Sequence, residues 1–254
     1  ALGIIRIIIE NKKDLRVKDL ISYSSNFYLN QGFSFQNEFL QNDIMIFLRD
    51  RFKFYLKEKD IRHDIIEASI NAFDLNKISL QFEKSKSLNK VINTQVGYEI
   101  ISSYKRAHNI LQSEVRDNKK EFSNTTDPGI FKTEFEKNLH KRINELNKYF
   151  SRNSREENFD ETLILLSSIK KEVFDFFDNV KVNDENTSIK KNRLELINIL
   201  CKTFENYTDF HLIEDINNLS PNTYSVTITD LNDCEITEDY IITEPPQINI
   251  DLSS

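Results

Sequence analysis

Between residue 38 and about 213 the apolar positions recur at steps of three and four, the period of helices with one buried face. Leu40, Ile44, Phe47, Leu48, Phe52, Tyr55 and Leu56 form one stripe, and Ile100, Tyr104, Ala107, Leu111 and Val115 a second. Phe131, Phe135, Leu139, Ile143, Leu146 and Phe150 follow, and then Leu194, Ile197, Cys201, Phe204 and Tyr207. The most regular stripe is Leu163, Leu166, Ile169, Val173, Phe176, Phe177 and Val180. Stripes this wide bury against neighbouring helices, so the spacing predicts a helical bundle. Shorter helices are expected over 61–73 and 75–93. Breaks are expected near Gly32, at Asn124 to Gly129, at Asn153 to Asn158 and at Asn183 to Thr187.

After residue 217 the period changes to two. Tyr224, Val226 and Ile228 alternate with Ser225, Thr227 and Thr229, which predicts a half-buried strand. Asp230 to Asp233 reads as a turn, followed by a second strand over 235–243 and then Pro245-Pro246. Two such strands are marginal in water unless they pack on something. The fold class expected is therefore all-α, a helical bundle with a short C-terminal β appendage.

Charge follows the same division. The net charge is −7, yet residues 1–210 hold all 34 Lys and Arg. From His211 onward there is none, while acidic residues such as Asp230, Asp233, Glu235 and Glu238 accumulate. With 39% hydrophobic and 30% charged residues the chain is too apolar for a disordered protein. No apolar run approaches the roughly 20 residues that span a bilayer. The chain opens inside an apolar periodic stretch at Ala1, as a piece of a longer protein would.

A catalytic constellation is not expected. Arg62-His63-Asp64 invites a metal reading, but His108, His140 and His211 are scattered and a structural site needs about four ligands. Asp64 is better explained as a charge favoured at a helix N-terminus. Cys201 and Cys234 make neither a disulfide framework nor a zinc site. No Gly-rich phosphate loop, nucleophile elbow or Cys–His pairing is present. The expectation is no catalytic residue and no metal ligand; if the chain serves an enzyme, it serves as a binding part.

Two polar groupings remain. At 100° per residue, Ser102, Lys105, Asn109 and Gln112 lie opposite the Ile100–Tyr104–Ala107–Leu111 face, with Arg106 on the flank. This is either a solvated helix face or an RNA surface, with Lys and Arg on phosphate and Asn or Gln on a base edge. Lys190, Lys191 and Arg193 follow an N-cap at Asn186 or Thr187, where the helix dipole disfavours positive charge. Cations placed there suggest an external anion, or neutralisation by Asp184 and Glu185.

The residues carry a resemblance in six places. Ala1-Leu2-Gly3-Ile4-Ile5-Arg6-Ile7-Ile8, Phe47-Leu48-Arg49-Asp50-Arg51-Phe52, Asp64-Ile65-Ile66-Glu67-Ala68, Lys105-Arg106-Ala107-His108-Asn109-Ile110-Leu111, Phe176-Phe177-Asp178-Asn179-Val180-Lys181-Val182 and Asn192-Arg193-Leu194 stand in family order. Together they resemble the C-terminal part of the β subunit of bacterial glycyl-tRNA synthetase, of the kind built from separate α and β chains. Lys181 replaces an apolar residue of the family, Asn183 to Asn186 is more polar than its loop, and Asn71-Ala72-Phe73 matches poorly. The resemblance implies that residues 1–57 end the β-subunit helical body. Residues 58–216 would form an all-α anticodon-binding domain related to that of arginyl-tRNA synthetase. It implies tRNA-Gly and the α subunit as partners, in a heterotetramer of two α and two β chains in the cytoplasm. ATP and Mg would be used by the α subunit, with no cofactor in this chain. Under that reading Lys105, Arg106, Asn109, Gln112, Lys190, Lys191 and Arg193 are the tRNA-contact candidates, Asn192 and Arg193 having the alternative role of tying two helices together.

The tail resembles something else. Asn222 to Asp230, Asn232-Asp233-Cys234 and Thr243 to Pro246 are similar to the SprB-type repeat of Bacteroidota cell-surface adhesins, with Asn222 and Asp233 where glycines are expected. This partial repeat, residues 217–254, implies a cell-surface compartment. The expectation is an artificial or mis-assembled fusion joined near Asp215 to Leu219, with a natural fusion as the alternative. Two other functions follow from weighting the features differently: an adhesin fragment with a helical appendage, or a helical scaffold that binds no RNA.

Overall fold

Asn186 accepts hydrogen bonds on its side-chain oxygen from the backbone N–H of Ser188 and Ile189, and so caps the helix on which the fold is organised. A computed structural model of the chain describes residues 1–13, 15–34, 37–72, 76–118, 122–152, 158–213, 222–229 and 235–242. Among them are ten α-helices: α1 (Leu2–Glu10), α2 (Val17–Asn30), α3 (Asn37–Glu58), α4 (His63–Ala72), α5 (Ile78–Val91), α6 (Gln95–Asn118), α7 (Glu134–Arg152), α8 (Phe159–Ser167), α9 (Lys170–Asn179) and α10 (Thr187–Glu205). Single 3-10 turns stand at Pro128–Ile130 and Phe210–Leu212. Ala1–Ile213 form one compact unit and residues 214–254 a second.

The helices start where side chains satisfy the free N–H groups of a first turn. Thr133 Oγ1 accepts from Glu136 N, while Glu136 Oε2 accepts from Thr133 N, a capping box that opens α7. Asn158 accepts from Glu161 N and opens α8. Gly97 lies in the first turn of α6. A Cβ there would stand 2.3 Å from the Ile92 carbonyl oxygen, so the tight passage from α5 to α6 admits glycine.

Helix α10 lies at the centre, packed on α6 and α7; α9 packs on α7 and α6, α8 on α5 and α6, and α1 on α3 and α5. Leu194, Leu196, Ile197, Leu200 and Phe204 of α10 are buried, as expected of a helix enclosed on most sides. Its buried polar residues are bonded in turn, which such burial requires. The Asn192 amide pairs with the Asp127 backbone in both directions, and Glu195 accepts from Ser123 N and Asn124 N. Asn198 Nδ2 donates to Asn124 Oδ1.

The stripe from Leu163 to Val180 is broken into α8 and α9. Ser167 and Ser168 turn their hydroxyls onto the carbonyls of Ile164 and Leu165, and Ile169 N reaches Leu166 in a three-residue step. Serine hydroxyls compete for backbone partners in this way and mark a bend. The period survives because Leu163, Leu166, Ile169, Val173 and Phe176 are all buried on the same core.

The N-terminal helices are less covered. Ile5, Ile8 and Ile9 of α1 are buried, yet Ile4, Ile7, Tyr23, Phe27, Tyr28, Phe33 and Phe47 stand exposed, Tyr23 at 77%. Among the described residues no helix is long and apolar enough to cross a membrane.

In the second unit, β1 (Asn222–Thr229) pairs antiparallel with β2 (Glu235–Ile242), placing Val226 opposite Glu238. Thr227 and Thr237 share a hydrogen bond across the pair. The expected turn at Asp230 to Asp233, Pro245-Pro246, Cys234 and the junction near Asp215 to Leu219 lie outside the described residues, as does most of the break at Asn153 to Asn158.

Candidate nucleic-acid interface

Helix α6 presents two faces. Ile100, Tyr104, Ala107 and Leu111 are buried, as their spacing predicts. Opposite them Asn109 and Gln112 are exposed, while Ser102 and Lys105 are half-buried. Among the described residues no ion pair includes Lys105.

Arg106 has a different place. Its Nη2 lies 2.6 Å from Asp178 Oδ1, and its guanidinium stands over the rings of Phe174 and Phe177 at 5.2 and 5.1 Å. Two turns nearer the start of α6, Lys170 Nζ bonds Glu99 at 3.3 Å and stands over Tyr98 and Phe174. The flank of α6 is thus joined to α9 by alternating cations and rings, a stacking that favours Arg. The motif Phe176-Phe177-Asp178 in the sequence supplies both a ring and the carboxylate that Arg106 uses.

The second grouping separates residue by residue. Arg193 is 5% exposed. Its Nε donates to Glu136 Oε1 at 2.7 Å, and its Nη1 donates to Asp184 Oδ2 and to the Lys181 carbonyl, each at 2.8 Å. Lys190 Nζ lies 2.9 Å from Glu114 Oε1, with both side chains largely covered. The anion that the helix dipole argument demands is therefore internal: Asp184, Glu136 and Glu114 supply it. The charges of Arg193 and Lys190 are thus used inside the fold. Arg193 ties α10 to the start of α7, the alternative its position suggested. Lys191 is exposed. What the structure leaves outward from the two groupings is Lys105, Asn109, Gln112 and Lys191.

The carboxyls respond to these placements. Burial pushes Glu136 up, but Arg193 and the Thr133 and Lys132 donors outweigh it and hold the carboxyl below the usual range. Asp184 is also lowered, by the Asn186 N–H first and by Arg193.

One cluster has no sequence signal. The His108 and His211 rings stack at 4.5 Å between centroids, and Tyr104 stacks on His108 at 5.3 Å. Tyr104 Oη lies 3.2 Å from His108 Nδ1 and donates to Glu205 Oε1 at 3.3 Å. With Asp209 these residues line a cavity of about 330 Å³. Burial, and then the neighbouring His211, lower the His108 pKa against the opposing pull of Glu205 and Asp209. Histidines 103 residues apart in the chain read as scattered; the turn at Phe210–Leu212 brings them together. Among the described residues no group of three or more His, Cys, Asp or Glu could hold a metal ion.

At Arg62-His63-Asp64, Asp64 accepts from the Arg62 guanidinium and from Ile65 N at the start of α4. Its surroundings are those of a helix-start charge.

Residues 100–218 match the family model described as the DALR anticodon binding domain. Residues 1–71 match that of the glycyl-tRNA synthetase beta subunit. The chain is 35% identical over 212 residues to the glycine--tRNA ligase beta subunit of Rickettsia africae (strain ESF-5), covering 83% of this chain and 29% of that protein. The same subunit of Rickettsia prowazekii (strain Madrid E) is 34% identical over 211 residues, again 83% of this chain and 29% of its own length. That of Rickettsia bellii (strain OSU 85-389) is 35% identical over 213 residues, with the same two shares. The chain is similar to glycyl-tRNA synthetase beta subunits over most of its own length, and spans less than a third of the length of these relatives.

Proposed function

We propose that the helical unit is the tRNA-binding, anticodon-recognising portion of a glycine–tRNA ligase β subunit, supporting ATP-dependent glycylation of tRNA-Gly. In this reading ATP and Mg act on the α subunit, two α and two β chains assemble, and the complex works in the cytoplasm. The observation that carries it is the outward row Lys105, Asn109 and Gln112 on α6, the helix at which the anticodon-binding match begins. Lys105 would meet phosphate, and Asn109 or Gln112 the edge of an unstacked base.

The test is binding of the full chain to tRNA-Gly and to the same tRNA with an exchanged anticodon, at low and moderate salt. Lys105→Ala is expected to weaken both tRNAs alike and to reduce the salt slope by about 1. Asn109→Ala is expected to relax discrimination between the anticodons by about 1–3 kcal/mol. Unchanged affinity and discrimination in the double variant, at matched folding, would remove the α6 row from the interface. Binding to neither tRNA would favour a scaffold.

A further inference from the structure

Where α5, α7, α8 and α10 converge, the helical unit holds a cavity of about 690 Å³, within the range of small-molecule sites. It lies apart from the outward row of α6, and none of Lys105, Asn109 and Gln112 lines it. Its walls combine three chemistries. Phe150, Phe159 and Tyr207 give aromatic surface, Asn147 and Asn206 give amides, and Lys84 and Lys202 give cations. Among the described residues that line it there is no carboxylate.

That composition selects among ligands. A cation would need an acidic lining, and a sugar is ordinarily held by carboxylates as well as amides. A purely apolar ligand would gain nothing from two ammonium groups. Flat rings suit a planar heterocycle, amides read its donor and acceptor edge, and ammonium groups suit a phosphate. We propose that this cavity binds a mononucleotide unit, base and phosphate together, supplied either free or by an unstacked RNA strand.

Lys84 gives the site a second signature. Its Nζ stands 4.6 Å above the Tyr207 ring, and burial pulls its pKa down to about 7. A phosphate beside it favours the charged form, so ligand binding at neutral or mildly alkaline pH draws a proton onto Lys84. Lys202, paired with Glu205 at 2.8 Å, is pushed the other way and stays charged. The two lysines therefore differ in role: one is a standing charge, the other is charged by the ligand.

The experiment is calorimetric titration of the full chain with AMP, GMP, CMP and UMP, with the matching nucleosides, and with a seven-nucleotide single-stranded RNA. Each titration is run at pH 7.5 in two buffers of different ionisation enthalpy. Saturable binding of at least one monophosphate, about tenfold or more tighter than its nucleoside, with proton uptake on binding, is the expected result. Lys84→Gln should remove both the preference and the uptake; Phe150→Ala should weaken nucleotide and nucleoside together. Circular dichroism checks that each variant is folded. If only the RNA strand binds with Lys84 dependence, the strand is the source; if only monophosphates do, the free nucleotide is. Absence of binding by all of them, or binding indifferent to Lys84→Gln in a folded variant, overturns the proposal. Because Lys105 and Asn109 lie outside the cavity, loss of anticodon discrimination leaves this result standing, and the reverse also holds.

Discussion

Arg193→Met is expected to cost the helical unit about 3–5 kcal/mol, the scale for removing one partner of a buried charge cluster. Arg193 and Glu136 are among the most buried charged side chains, at 6% and 1% exposure. Glu136 also holds the first turn of α7 through Lys132 N and Thr133 N, at 2.8 and 2.7 Å. Removing the guanidinium leaves that carboxylate buried against its cap donors alone, and frees Asp184 and the Lys181 carbonyl on the other side. The pH dependence follows by linkage. With its folded pKa depressed below 4.5, Glu136 contributes stability that is present above that value and lost as pH falls through the folded one. Without Arg193 burial pushes the carboxyl up, so the acid loss begins at higher pH in the variant. Urea unfolding of both proteins between pH 4 and 7 checks this. A difference under about 1 kcal/mol at pH 7 would show that the cluster is no better than its apolar replacement.

Phe204→Ala has an effect of similar size for a different reason. Phe204 is fully buried on α10 and meets Tyr104 and Phe210 edge-on, with centroids 5.9 and 6.0 Å away. Tyr104 in turn carries His108 and Glu205, so the ring joins α6, α10 and the turn at Phe210–Leu212. Emptying this place removes the transfer free energy of the ring and leaves a cavity, together about 3–5 kcal/mol. The same urea measurement reads it, and Phe204→Leu should lose clearly less. Equal losses in both variants would mean that ring contacts, not volume, carry the position.

The fold was legible where a period carried it. Tyr104 and Leu111 announce the buried face of α6 by spacing, and Asn186 announces α10 by its side chain. The bend at Ser168–Ile169 was hidden, because the apolar period runs straight across it while two hydroxyls redirect the backbone. Pairings across long stretches of chain were hidden for a simpler reason. Nothing local to Arg193 names Glu136, 57 residues earlier, although Asp184 lay close enough to be considered. Arg106 shows the same limit, since its angle on α6 places it on the polar flank and only the approach of α9 turns it toward Phe174 and Asp178. Asn109 and Gln112 are exposed, as their angle on α6 predicts, and for that placement the helical wheel was sufficient.

Unequal burial along the chain sets an order of opening. Helix α2 buries only Val17, Ile21 and Ser25 of its fourteen residues, whereas α10 buries eleven of nineteen. The start of α2 is held by Asn76, which accepts from Val17 N and Lys18 N, while its far end runs into the turn at Gly32. Amide protons of α2 can therefore exchange with solvent through a local event that begins at the Gly32 end. Those of α10 must wait for the entire bundle to unfold, so one chain contains a fast clock and a slow one.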